Sequence, residues 1–92
     1  MKKQYLTSGQ VANLFVKQLK PQGGRLVGFI TRKQCEWLIR QFLYENRNTD
    51  FRVSRSYPVY SGSLQNVQGE YIGTWDLHTL PSGSGALTVY QV

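Results

Sequence analysis

The amino-acid sequence predicts an α+β protein in which two amphipathic helices pack on a three- to four-stranded antiparallel β meander. Two helix-start patterns and helically spaced apolar residues occupy the first half of the chain. From Phe51 onward, apolar and polar residues alternate instead. A period near 3.6 residues indicates helices and a period of two indicates strands. Because helices and strands are segregated along the chain, the order is typical of α+β proteins.

The length of 92 residues is that of one domain, which we expect to span residues 1–92. Within it, residues 1–50 are expected to be mainly helical and basic. Residues 51–92 are expected to form the antiparallel meander and to be slightly acidic. A chain this short buries only a modest share of its surface on folding, so formation of a homodimer or binding to another partner would add to its stability.

Both helices are predicted to begin with the same chemistry. Thr7 and Gln10 have the spacing of a capping box, and Thr31 and Gln34 repeat it. The first box is followed by apolar residues at helical spacing, namely Val11, Leu14, Phe15 and Leu19. The second helix is expected to run to about Asn46, with a core face made of Cys35, Leu38, Ile39, Phe42 and Leu43.

The first helix is predicted to end at Pro21 and the Gly23-Gly24 pair, because proline and glycine interrupt helices. The segment Arg25–Ile30 then forms a short extended stretch that can join the later sheet. Lys17, Lys20 and Arg25 flank the glycine pair, but the loop lacks the lysine–hydroxyl ending of a phosphate-binding loop.

The second half is predicted to consist of strands. Phe51 and Val53 alternate with polar residues, and Pro58 confines that strand to an edge or bends it. A hairpin is expected around the turn 61–63. The alternation over 71–78, the small-residue loop 81–85 and the closing strand 86–92 complete the meander.

The charge of the chain is distributed unevenly. All eleven Lys and Arg residues lie at or before Arg55, together with three acidic residues, which gives that part a net charge of +8. The remaining 37 residues carry two acidic residues and no basic one, a net charge of −2. Such an asymmetry attracts anions to one side of a protein.

The strongest functional pattern lies on the second helix. Two large aromatic residues alternate with three cations on the side opposite the core face, at Lys33, Trp37, Arg40, Tyr44 and Arg47. Cations neutralise phosphates and aromatic rings stack on unpaired bases. We therefore predict a nucleic-acid or partner-binding surface from these five residues, flanked by Arg25 and Arg32. The alternatives are a second edge of the core, and a protein interface, where Trp, Tyr and Arg dominate the binding energy.

No catalytic constellation, metal site or cofactor motif is predicted. Cys35 lies in the first turn of a helix, where thiols can be activated, but it falls on the apolar face. Asp76 and His78 share a strand face without a placed nucleophile, which favours a structural role. One cysteine and one histidine far apart do not complete a zinc site within one chain.

The segment Leu6–Phe15 resembles the first helix of excisionase- and MerR-like winged-helix DNA-binding proteins. The resemblance implies a second helix, placed after a turn of three or four residues, that contacts DNA. Here roughly ten residues, containing Pro21, Gly23 and Gly24, separate the two predicted helices. A winged-helix-like DNA-binding regulator is therefore a lower-ranked alternative.

The sequence thus predicts a small basic protein that is not an enzyme and that engages nucleic acid, with single-stranded RNA or DNA favoured, or the exposed nucleic-acid path of a nucleoprotein complex. The main alternative is a phage or mobile-element inhibitor of a host nucleoprotein machine, of the anti-CRISPR type, that acts through protein–protein contacts. One cysteine and no long apolar run favour a cytoplasmic protein without a membrane span.

Overall fold

The computed structural model describes residues 5–48 and 59–92 and has an α+β architecture. The predicted strand around Phe51–Val53, with Arg52, Arg55 and Pro58, lies outside the described residues. The elements in chain order are α1 (Ser8–Leu14), a 3-10 helix (Val16–Gln18), β1 (Lys20–Gln22), β2 (Arg25–Ile30), α2 (Arg32–Glu45), β3 (Val59–Gln65), β4 (Tyr71–Thr79) and β5 (Gly85–Gln91).

Both predicted helix starts are confirmed. Thr7 accepts a hydrogen bond from the backbone N–H of Gln10 at 3.1 Å, and the Gln10 side chain accepts one from the Thr7 N–H at 2.9 Å. Thr31 and Gln34 make the same pair of bonds at 3.2 and 2.9 Å. Each box satisfies two backbone donors that have no partner within the helix.

The first helix ends earlier than the sequence predicts. Helix α1 stops at Leu14 and gives way to a 3-10 turn, and Leu19 has an extended backbone with its side chain buried. Leu19 packs so closely on Gly28 that a methyl group there would lie 2.9 Å from Leu19 Cδ2. This contact favours an extended chain at Leu19, which allows the following residues to pair with β2.

Pro21 and the Gly23-Gly24 pair belong to a β-hairpin rather than to a helix stop. Gln22 pairs with Arg25, and the two glycines between them have φ values of 59° and 82°. Two consecutive residues with positive φ form the turn that best matches the twist of a hairpin. The helices α1 and α2 are therefore separated by a β-hairpin and not by the short turn of a helix-turn-helix.

In the described part of the chain, the sheet has five antiparallel strands in the order β1-β2-β5-β4-β3, which is one or two more than predicted. The meander β3-β4-β5 is confirmed. The extended stretch expected at Arg25–Ile30 is confirmed as β2, which joins the sheet by pairing with β5. β1, which pairs with β2, was not expected. The polypeptide before residue 50 therefore supplies two strands in addition to the two helices.

The helices cover one face of the sheet and form the core with it. Trp75 and Leu77 of β4 and Leu87 and Val89 of β5 are fully buried. They lie in one cluster with α1 and α2 side chains, among them Val11, Ala12, Cys35 and Leu38. The ring of Phe42 on α2 makes edge-to-face contacts with Tyr60 at 5.4 Å and with Trp75 at 5.9 Å. Buried aromatic pairs of this geometry add to the stability gained from burial alone.

The turn predicted at 61–63 is wrong, because these residues are in the middle of β3. Gly62 is there because it faces the Trp75 ring, where a methyl group would lie 2.9 Å from Cζ2. The chain turns instead at 66–69, where the Gly69 N–H donates to the Asn66 carbonyl at 2.9 Å. The loop near Pro81 is confirmed, and its ends are joined by the Leu80 N–H donating to the Ser84 carbonyl.

Candidate nucleic-acid interface on helix α2

Helix α2 buries a narrower face than the sequence predicts. Cys35, Leu38 and Phe42 are buried, and Ile39 is half-buried against the core. Leu43, which we predicted in the core, is 41% exposed. At about 100° of rotation per residue, the three buried side chains lie on one face of the helix, whose middle is between the directions of Leu38 and Cys35. Leu43 points about 100° away from the middle of that face, at its margin. The rest of the helix circumference is left to solvent.

The predicted binding surface occupies this uncovered side of α2. Lys33, Trp37, Arg40, Tyr44 and Arg47 are all exposed, and we call these five residues the α2 stripe. Lys33, Trp37, Arg40 and Tyr44 are separated by three or four residues, so that they follow one line along α2. Arg47 lies two residues beyond the end of α2, with its guanidinium against the Tyr44 ring. The structure therefore places the five side chains on one surface, and the role of that surface in binding stays a prediction.

Trp37 packs against the end of α1. Its ring lies 6.1 Å from the ring of Phe15, at an interplanar angle of 70°. Phe15 is the buried residue at the end of α1. Trp37 nevertheless remains 41% exposed, so Phe15 contacts the ring without covering it completely. An aromatic ring that packs against the core and keeps part of its surface exposed can stack on a planar ligand.

Tyr44 and Arg47 form a local unit at the end of α2. The Arg47 guanidinium carbon lies 4.2 Å from the centroid of the Tyr44 ring, and Nη1 donates to the Tyr44 carbonyl at 2.7 Å. A cation is favourable at this end of a helix because the last carbonyls lack partners there. Tyr44 remains 62% exposed despite this contact.

Arg32 lies at the other end of α2, beside the stripe. Its Nε is 3.3 Å from Oε1 of Glu36, and both side chains are largely exposed. Exposed ion pairs of this kind contribute little to stability. Arg32 also borders the loop between β4 and β5, since a methyl group on Gly83 would lie 3.1 Å from Arg32 Cδ. Arg32 is thus exposed at the start of α2, and its role as a flank of the α2 stripe stays a prediction.

Arg25 is not part of this surface. It begins β2, whose buried residue Ile30 is at an even position, so the odd positions 25, 27 and 29 point away from the helices. Lys20, which is paired with Val27, lies on this same uncovered face of the sheet. We therefore correct the prediction that Arg25 flanks the α2 stripe, because the two-residue period of the strand places it on the other side of the sheet.

The uncovered face of the sheet forms a second exposed surface, which we call the open sheet face. Phe29 is its most prominent side chain, at 70% exposure. A groove of about 660 Å³ beside β1 is bordered by Lys20, Val27 and Phe29, among other residues. Asp76 and His78 also lie on the open sheet face, and Asp76 accepts a hydrogen bond from the Ser61 hydroxyl at 2.7 Å. Among the described residues, the open sheet face thus carries two exposed aromatic side chains, Phe29 and Tyr90, and two cations, Lys20 and Arg25, against two aromatic side chains and three cations in the α2 stripe.

One aromatic residue near the α2 stripe was missed by the sequence analysis. Tyr5 lines a groove of about 370 Å³ together with Arg40, Gln41 and Tyr44. The Gln41 side chain donates a hydrogen bond to the Leu6 carbonyl, which ties the chain next to Tyr5 to α2. No sequence pattern links Tyr5 to Arg40, which is 35 residues away, so only the folded chain shows that the two line one groove.

The residues considered for catalysis or metal binding show no assembled site. Cys35 is buried. Burial, and to a smaller extent the nearby negative charge of Glu36, raises the pKa of its thiol. A raised pKa leaves less of the nucleophilic thiolate at neutral pH. Within 5–48 and 59–92, no three His, Cys, Asp or Glu side chains lie together as metal ligands would.

None of the helices in the described part of the chain combines the length and the apolar character needed to cross a membrane. Comparison of the whole chain with protein-family models, with curated proteins and with solved structures yields no match.

Proposed function

We propose that this protein binds single-stranded nucleic acid through the α2 stripe. The observation that supports the proposal is the exposure of Trp37 and Tyr44 on one line of α2, with the cation Arg40 between them. Full burial of a large aromatic ring stabilises a fold by about 2–3 kcal/mol, and the chain forgoes part of this at Trp37 and a larger part at Tyr44. Two exposed rings on a cationic line are typical of a surface that meets a ligand.

The spacing of the α2 stripe suits an extended chain of nucleotides. Trp37 and Tyr44 are seven residues apart, which corresponds to about 10 Å along a helix. Bases that are not paired can separate and stack on individual rings, whereas the bases of a duplex are already stacked and paired. Lys33, Arg40 and Arg47 would pair with the phosphates between the stacked bases.

The charge of the chain supports the same function. The formal net charge is +6, and four of the basic residues belong to α2 or follow it directly, namely Arg32, Lys33, Arg40 and Arg47. Glu36 and Glu45 lie on the same helix, but Glu36 pairs with Arg32 and Glu45 caps α1. The acidic side chains of α2 are thus engaged within the protein, while Lys33 and Arg40 are exposed.

The test is a fluorescence anisotropy titration of labelled single-stranded RNA, single-stranded DNA and duplex DNA at 50 and 200 mM salt. If about four phosphates are neutralised, single-strand affinity should fall by about fifty-fold between these concentrations. The double variant Trp37→Ala/Arg40→Ala should bind at least tenfold more weakly than the wild type, because one stacked base and one phosphate contact are lost.

The matched control is Lys20→Ala/Phe29→Ala, which removes one cation and one aromatic ring from the open sheet face. It should bind like the wild type. Loss of binding in this control, with binding retained by the α2 variant, would move the site to the sheet and overturn the proposal. Circular dichroism must show that both variants are folded.

Absence of binding to all three nucleic acids at 50 mM salt would also overturn the proposal. A protein or nucleoprotein partner would then be the better candidate, since Trp, Tyr and Arg are the residues that dominate protein interfaces. Affinity for such a partner through α2 would depend little on salt.

A further inference from the structure

The groove between Tyr5 and α2 has walls that match the two chemical parts of a nucleotide. Tyr5 and Tyr44 supply two aromatic rings, which are 78% and 62% exposed. Arg40 lines the same groove and supplies a cation. A nucleotide carries a planar aromatic base and an anionic phosphate, which are recognised by stacking and by arginine respectively.

Separate contacts fix Tyr44 itself on one wall and, on the other wall, the residue that follows Tyr5. The Gln41 side chain donates to the Leu6 carbonyl, and the Leu6 side chain packs against the core. Tyr5 therefore precedes an anchored residue. On the other wall, the Arg47 guanidinium lies 4.2 Å from the centroid of the Tyr44 ring and is bonded to the Tyr44 carbonyl. Walls that are ordered before binding reduce the entropy lost when a ligand is bound.

We propose that the groove lined by Tyr5, Arg40, Gln41 and Tyr44 is a nucleobase subsite, a proposal that rests on the nucleic-acid-binding function of the α2 stripe. One unpaired base of a single strand stacks against the tyrosine rings, and Arg40 pairs with an adjacent phosphate. Trp37, one helical turn before Arg40, stacks on a neighbouring base. The strand then follows α2 from Trp37 towards Tyr44, and Tyr5 becomes part of the interface.

The subsite makes a prediction that the α2 stripe alone does not make. Tyr5 lies outside α2, so a ligand that contacted the helix only would be indifferent to its removal. Tyr71 provides a matched control, because it is a tyrosine of similar exposure, 57%, on the strand β4. Replacement of Tyr5 and of Tyr71 by alanine removes the same exposed ring from two different surfaces.

The experiment measures binding of a single-stranded oligonucleotide that contains one 2-aminopurine, whose fluorescence reports stacking. The variants are Tyr5→Ala, Tyr5→Phe and Tyr71→Ala. We expect Tyr5→Ala to weaken binding by about tenfold and to reduce the fluorescence change, because one stacking contact is lost. Tyr5→Phe keeps the ring and should bind like the wild type, as should Tyr71→Ala.

Equal affinity of Tyr5→Ala and the wild type would overturn the subsite. If Tyr5→Ala bound normally and Trp37→Ala/Arg40→Ala lost binding, the function proposed for the α2 stripe would stand without the nucleobase subsite. Loss of affinity in Tyr5→Phe as well as in Tyr5→Ala would also overturn base stacking at Tyr5, because the ring is retained in the phenylalanine variant. A wild-type protein that binds no oligonucleotide would overturn both proposals together.

Discussion

Ser8 and Glu45 are joined by two hydrogen bonds although 37 residues separate them. The Ser8 backbone N–H donates to Glu45 Oε2 at 3.0 Å, and the Ser8 hydroxyl donates to Oε1. Ser8 begins α1 and Glu45 ends α2, so the last turn of one helix caps the start of the other. Helix α1 has no acidic residue in its own first turn, and Glu45 supplies the carboxylate that is favourable there.

We expect Glu45→Ala to lower the free energy of unfolding by about 1–3 kcal/mol, because it leaves the buried Ser8 without its charged acceptor. Urea denaturation followed by circular dichroism measures the change. The matched control is Glu36→Ala on the same helix, which removes an exposed ion pair and should cost about 0.5 kcal/mol or less. An equal decrease in the free energy of unfolding in Glu45→Ala and Glu36→Ala would show that the contact with Ser8 stabilises the protein no more than an exposed ion pair does.

We predict that the Trp75 ring can pack in its observed position only when residue 62 is a glycine. The substitution Gly62→Ala places a methyl group 2.9 Å from the indole ring, so the ring or the strand must move. We expect a loss of about 1–3 kcal/mol in the free energy of unfolding and a changed near-ultraviolet circular dichroism signal from Trp75. Ser63→Ala, at the next position of β3 with an exposed side chain, should change neither measurement appreciably. An unchanged near-ultraviolet spectrum in Gly62→Ala would contradict this account.

The capping box of α2 is predicted to contribute measurably to stability. Thr31→Ala removes the side-chain acceptor of the Gln34 N–H and should cost about 1 kcal/mol. Thr31→Ser keeps a hydroxyl in the same place and should restore most of the loss. The comparison is made by thermal unfolding. A serine variant as unstable as the alanine variant would mean that the threonine methyl group, and not the cap, is responsible.

The thiol of Cys35 should react slowly in the folded protein. It is buried, and its pKa is raised chiefly by burial. Alkylation by iodoacetamide at pH 8 should therefore be at least tenfold slower in buffer than in 6 M urea, as mass spectrometry can follow. Rapid alkylation of the native protein would instead indicate an accessible thiolate and would reopen an enzymatic function.

The free energy of unfolding should decline in alkaline solution. Burial raises the pKa of the Cys35 thiol above its ordinary value of 9.0 and that of the Tyr60 phenol above 10.0. When the pKa of a group is higher in the folded state than in the unfolded state, the group contributes its full stabilisation at pH values below its pKa in the unfolded state. This contribution is lost as the pH rises towards the pKa of the group in the folded state. Cys35→Ala should show a shallower decline between pH 9 and 10 than the wild type in urea denaturation. Parallel pH profiles would exclude this contribution.

Local chemistry explains which parts of the fold were predictable. The capping boxes at Thr7 and Thr31 depend on residues three positions apart, and both are present as expected. The alternation that buries Trp75 and Leu77 is a property of β4 itself. The Gly23-Gly24 pair is compatible both with the end of a helix, as we predict from the sequence, and with a hairpin, because two glycines between extended stretches are also a hairpin signal. A glycine pair alone does not distinguish a helix stop from a hairpin turn. The pairing of β1 with β2 shows that the pair forms a hairpin turn.

Local sequence patterns are enough to locate the starts of the helices, the side of α2 that carries Trp37, Arg40 and Tyr44, and the strands of the second half. These properties follow from the periods of helix and strand and from hydrogen bonds within one turn. The folded chain was needed to show that Arg25 faces away from α2, that Gly62 accommodates Trp75, and that Tyr5 and Tyr44 line one groove. Each of those relationships depends on packing between residues distant in the chain, which no local pattern encodes.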